Sequence, residues 1–132
     1  VESCTGGMLS ARLINVPGVS EVFKSGYVTY SNKSKRKLLG IKKNNLMKHG
    51  AVSEQIAREM AKTAAVLART DVSVSTTGIA GPDGGTPEKP VGLVWKNDGE
   101  RVPFPREPGE NQREYGICGV IPDAGMYPAV LQ

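Results

Sequence analysis

SEQIAREMAKTAAVLARTDVSVSTTG, residues 53 to 78, decides the fold. Ser53 stands where a helix N-cap belongs, and Ile56, Met60, Ala64 and Leu67 then recur every three or four residues. That spacing predicts an amphipathic helix with one buried face. Asp71 to Thr77 (DVSVSTT) alternates valine with hydroxyl residues, the two-residue period of a strand. Upstream, GYVTY (26–30) has the β-branched and aromatic content of a short strand, and NKSKRKLL (32–39) reads as a helix capped by Asn32 and stopped by Gly40. Residues 6–16, GGMLSARLINV, place Met8, Leu9, Ala11, Leu13 and Ile14 near helical spacing, with Pro17-Gly18 as the stop. NNLMKH reads as a short turn ending at Gly50. Downstream, residues 79–90 form a loop rich in Gly and Pro, and VGLVW (91–95) a further strand. Helices alternating with strands predict an α/β fold, one layered domain with a central sheet flanked by helices.

The layered pattern stops at Trp95. Five of the nine prolines fall in the last 37 residues, and no helical or alternating period survives there. Residues 1–95 therefore read as the domain, and 96–132 as an irregular C-terminal tail. The first residue is Val, and a run with strand character is cut at that point, so a piece of a longer chain is expected.

At 132 residues the chain is long enough to bury an ordinary core. With 5% aromatic residues, Val, Leu, Ile and Ala must fill it. No run approaches the roughly 20 apolar residues of a membrane span. Cys4 and Cys118 lie far apart and match no metal spacing, which suggests reduced thiols in a cytoplasmic protein; no cofactor is expected. The net charge of +4 suits an anionic partner without proving one.

Three stretches carry side chains able to do chemistry. ESCTGG (2–7) packs a carboxylate, two hydroxyls, a thiol and two glycines ahead of a helix, where backbone N–H groups favour negative charge. The plainer reading is that Thr5 caps the helix and the glycines permit tight packing. TYSNKSK (29–35) brings Tyr30 and Lys35 within reach of each other; a lysine becomes a base only if burial or nearby charge lowers its pKa. Most of the six cations between Lys33 and Lys43 read as a solvated face, and with no interleaved aromatics a nucleic-acid groove is set aside. In TTGIAGPDGGTPEKP (76–90), glycines 78, 81, 84 and 85 allow backbone amides to converge, against the alternative of a long surface turn. His49, the only histidine, reads as a helix-terminal cation rather than a base.

ESCTGG, TYSN with Lys35, HGAVSE (49–54) and TGIAGPDGGTPEKPVG (77–92), in that order, resemble the C-terminal domain family of CinA, the competence- and damage-associated bacterial protein. The resemblance spans roughly residues 1 to 95. It implies an α/β fold and metal-free hydrolysis of the carboxamide of nicotinamide mononucleotide, giving nicotinate mononucleotide and ammonia. By position it implies Ser3 as nucleophile, Tyr30 and Lys35 in proton transfer, and Thr77 as an oxyanion donor. Thr5, Gly6, Ser20, Gly78 and Gly81 follow as substrate contacts. Cys4 is the stronger intrinsic nucleophile, but the bases available favour Ser3 with Lys35. On a strand the two would face opposite ways. The partner implied is a small mononucleotide, not a membrane or nucleic acid, with homo-oligomerisation left open. The alternative is a non-catalytic nucleotide-binding or regulatory module of a larger CinA-type protein. The family's first helix and its segments after residue 95, including one that supplies an arginine, are not recognisable; Arg106 and Arg113 are the nearest along the chain.

Overall fold

The computed structural model describes residues 1–98 and 117–120. Ser53 caps helix α4 (Glu54–Ala68), its hydroxyl accepting from the Ile56 amide at 3.3 Å. The buried stripe of α4 is Ile56, Ala57, Met60, Ala61, Ala64 and Ala65. Leu67, expected in that stripe, lies at its edge in the last turn and is 51% exposed. The alanines let α4 approach strand β1 (Val74–Gly78) closely. Ser73 and Ser75 reach the helix carbonyls of Ala61 and Ala57 at 2.6 Å each, and Thr77 the carbonyl of Ala51 at 2.8 Å. Ser73, Ser75 and Thr77 of DVSVSTT thus face inward, Thr76 lies on the opposite face, and Val72 is exposed.

The VGLVW run begins its pairing at Val94, because Pro90 and Gly92 turn the chain first. Strand β2 (Val94–Asp98) pairs antiparallel with β1, Thr76 opposite Lys96. Strand β3 (Ile117–Val120) then pairs antiparallel with β2, Trp95 opposite Val120. The segment read as an irregular tail therefore contributes the end of β2 and a strand. Its other residues, Arg106 and Arg113 among them, lie outside the described residues.

On the other edge of β1 the pairing is parallel. Thr76 donates to the Val1 carbonyl and accepts from the Ser3 amide, both at 3.0 Å. Residue 2 in turn bonds Tyr27 and Thr29 at 2.8 Å, so GYVTY contributes a single bridge at Val28 instead of a full strand. Across the sheet the order is 27–29, 1–3, β1, β2, β3, with the first three segments parallel. This is the α/β arrangement that the sequence predicts.

Helix α1 spans Met8–Leu13 and a 3-10 turn Val19–Glu21. Helix α2 (Asn32–Leu39) is capped by Ser31, one residue before the expected Asn32, through a reciprocal Ser31–Ser34 box, and closes at Gly40 with φ 70°. The expected NNLMKH turn is helix α3 (Lys43–His49), held by its buried Leu46. Leu39, Ile41, Leu46, Ile56 and Met60 form the core where α2 and α3 pack on α4.

Candidate active site

Side chains alternate across a sheet, so residues opposite one another in parallel strands share a face. Glu2, Val28 and Thr76 share one face, and the Glu2 carboxylate meets the start of α1 there. Ser3, Thr29 and Thr77 therefore share the other face, which α4 covers. All three stand at the carboxyl ends of their segments, the usual place for a ligand crevice in an open α/β sheet.

Lys35 reaches that row from α2. Its side chain points inward with Leu39, one turn later on the same helix face, and it is 1% exposed. Its Nζ lies 2.8 Å from Ser3 Oγ, 2.7 Å from the Thr29 carbonyl and 3.5 Å from the Tyr30 carbonyl. Burial pushes the pKa of the amine down, and a thiolate at the nearby Cys4 would oppose this only in part. Nζ donates to the Ser3 hydroxyl and to both carbonyls. In a neutral amine two N–H groups keep the carbonyls and the lone pair is free to take the Ser3 hydroxyl proton. As an ammonium the same nitrogen donates to all three oxygens, so proton transfer leaves no contact broken.

Ser3 is buried at 7% exposure, while its neighbour Cys4 is half-buried. Burial raises the Cys4 thiol pKa, against the opposing pull of the Cys4 and Thr5 amides and of Lys35. The thiol is thus held protonated. Of the two candidate nucleophiles, Ser3 is the one against the amine.

The residue that sequence reasoning missed is Glu2. Gly7, at the N-terminus of α1, has no side chain to cap it, and Glu2 does so from five residues upstream. Its carboxylate accepts from the amides of Gly7 and Leu9 at 3.0 Å and of Ser10 at 2.7 Å, and from the hydroxyls of Thr5 at 2.6 Å and Ser10 at 2.7 Å. Burial works against its charge, but the bonds from Thr5 and Ser10 outweigh it and draw the pKa from 4.5 down to about 2. A permanent carboxylate therefore occupies the end of α1 that the sequence suggested for an anion.

The other expected site residues fall elsewhere. Thr5 belongs to the Glu2 cap and shares a 2.7 Å hydrogen bond with Thr76. The Gly6 amide donates to the Ser3 carbonyl at 3.1 Å, which closes the turn. Tyr30 offers Lys35 its carbonyl, while the residue itself is 70% exposed. Ser20 is exposed in the 3-10 turn and makes no hydrogen bond to Ser3 or Lys35. Thr77 is spent on Ala51. Gly78 and Gly81 are packing positions: a Cβ would stand 2.5 Å from the Leu93 carbonyl oxygen at the first and 2.5 Å from Val91 Cγ1 at the second. Lys89 ties their loop to the end of α3, donating to the His49 and Val52 carbonyls at 3.2 and 2.7 Å. Among the described residues there is no cluster of three or more His, Cys, Asp or Glu able to hold a metal, and no helix is long and apolar enough to cross a membrane.

Comparison with known proteins agrees with this architecture. A relative in Clostridium kluyveri bearing the name competence-damage inducible protein is 61% identical over 94 residues, 71% of this chain and 23% of that protein. One from Clostridium perfringens is 65% identical over the same length and shares. The chain thus spans less than a quarter of those relatives. Among solved structures, the competence/damage inducible protein CihA of Agrobacterium tumefaciens matches with a TM-score of 0.72 and 45% identity, over 76% of this chain and 64% of that one. A competence-damaged protein (CinA) superfamily structure from Escherichia coli matches with a TM-score of 0.76 and 34% identity, over 94% and 65%. The family model for the CinA C-terminal domain matches residues 1–97, and with a buried serine–lysine pair at the sheet's carboxyl end this chain belongs to that family.

Proposed function

We propose that the domain hydrolyses the carboxamide of nicotinamide mononucleotide, with Ser3 as nucleophile and Lys35 as its base. The observation that carries this reading is the 2.8 Å contact between Ser3 Oγ and an amine whose pKa is lowered by burial. An unactivated hydroxyl does not attack an amide, and a neutral amine at hydrogen-bond distance supplies the missing base. The Ser3 proton passes to Lys35 as Oγ bonds the carboxamide carbon. Lys35 then returns the proton to the departing nitrogen, ammonia leaves, and an ester remains on Ser3. Water attacks that ester and gives one proton to Lys35, which passes it to the departing Ser3 oxygen; the carboxylic acid product leaves and ionises, its remaining proton going to solvent.

The test is ammonia release from nicotinamide mononucleotide, with release abolished by Ser3→Ala and by Lys35→Ala. If calorimetry shows binding and no ammonia appears, the enzyme reading fails and a nucleotide-binding module stands in its place.

A further inference from the structure

Thr29 Oγ1 is the one buried side-chain polar atom without a hydrogen-bond partner among the described residues, and Thr29 is 0% exposed. A buried hydroxyl is ordinarily satisfied by protein or by an ordered water, so this one stands out as a group that no protein atom pairs. Its position is what gives it meaning. Thr29 stands next to Ser3 across the parallel pairing, on the same face of the sheet, and its carbonyl is the 2.7 Å acceptor for Lys35 Nζ. An unused donor and acceptor therefore lies beside both members of the reactive pair. The sequence pointed instead to the neighbouring Tyr30, which is largely exposed.

We infer that Thr29 Oγ1 holds the water that hydrolyses the ester on Ser3, an inference that rests on the amidase reading above. In the second half of the reaction Lys35 is again an amine and must take a proton from a water facing the ester carbon. A single hydrogen bond to Lys35 leaves that water free to rotate; a second bond to Thr29 fixes its oxygen. The water's oxygen bonds the ester carbon, its proton goes to Lys35, and the Ser3 oxygen leaves with the proton that Lys35 gives back. Acylation needs no water, so the role is confined to the second step.

That confinement supplies the test, with the chain and nicotinamide mononucleotide. Thr29→Val keeps the shape and removes only an unpartnered hydroxyl, so its melting temperature should match or exceed that of the wild type. Its rapid-quench trace should show a burst of about one ammonia per Ser3. Steady turnover should then be at least tenfold slower, with KM lowered along with kcat, and Thr29→Ser should restore the rate. Thr29→Ala, read the same way, covers the case of a valine variant that misfolds. Unchanged steady turnover in a folded variant overturns the inference, and so does a variant that loses the burst together with the rate. A wild-type chain that releases no ammonia at all sinks the amidase reading instead, which separates the two failures.

Discussion

Replacing Glu2 with Gln separates charge from shape at the centre of the ESCTGG turn. The carboxylate takes five donors and has its pKa drawn from 4.5 to about 2. At about 1.4 kcal/mol for each tenfold in proton affinity, the folded state gains about 3 kcal/mol from keeping this group ionised. That is a large part of the roughly 5–15 kcal/mol that holds a domain together. The group's folded pKa is depressed, so its contribution is complete above pH 4.5 and fades as pH falls toward 2. By the linkage relation about 2 kcal/mol of it is gone at pH 3. Glutamine offers one acceptor oxygen and turns an NH2 toward amide donors, so Glu2→Gln should lose about 3 kcal/mol at pH 7 and show a flatter acid dependence. Urea unfolding of both proteins at pH 7 and pH 3 measures this as a cycle: the gap between them should shrink by about 2 kcal/mol at the lower pH. An equal gap at both pH values would refute the reasoning, because the carboxylate would then contribute shape alone.

Lys35→Met should abolish ammonia release yet leave the melting temperature equal or higher by a few degrees, since a buried amine with a lowered pKa costs stability at every pH below its free value of 10.5; differential scanning calorimetry beside the ammonia assay checks it. On α4, Ala61→Leu should destabilise by about 1–3 kcal/mol through overpacking. Leu67→Gln, at an exposed position of the same helix, should stay within about 0.5 kcal/mol in the same denaturant titration. Gly78→Ala puts a carbon 2.5 Å from the Leu93 carbonyl oxygen and should cost about 1–3 kcal/mol or more, seen as a lowered urea midpoint.

Features set by near neighbours were legible in the sequence. Ser53 caps α4 because its hydroxyl and the Ile56 amide are three residues apart, and Gly40 ends α2 because it alone tolerates φ 70° there. What failed was set across the fold. Glu2 caps a helix from five to eight positions upstream, outside any local capping pattern, and Thr5 was the obvious local substitute. Helix α3 lacks a side-chain cap and depends on burying Leu46, a tertiary contact that its own residues do not announce. In DVSVSTT the two-residue period was visible, but not which half faces inward. The half with Ser73 and Ser75 does, because the alanines of α4 leave its carbonyls within reach. The same alternation explains the exchange at TYSN. Thr29, paired beside Ser3, turns inward, and the more conspicuous Tyr30 is exposed. Strand order was beyond reach, since residues 1–3 join segments that lie far apart along the chain.

The most direct test is a pH titration of the Lys35 side chain by carbon-detected NMR, assigned by its loss in Lys35→Met, read beside the pH dependence of ammonia release. The account predicts a midpoint below 10.5, with the rate rising through that same midpoint as the amine loses its proton. A lysine that titrates at 10.5 or above, or a rate indifferent to its protonation, would contradict it.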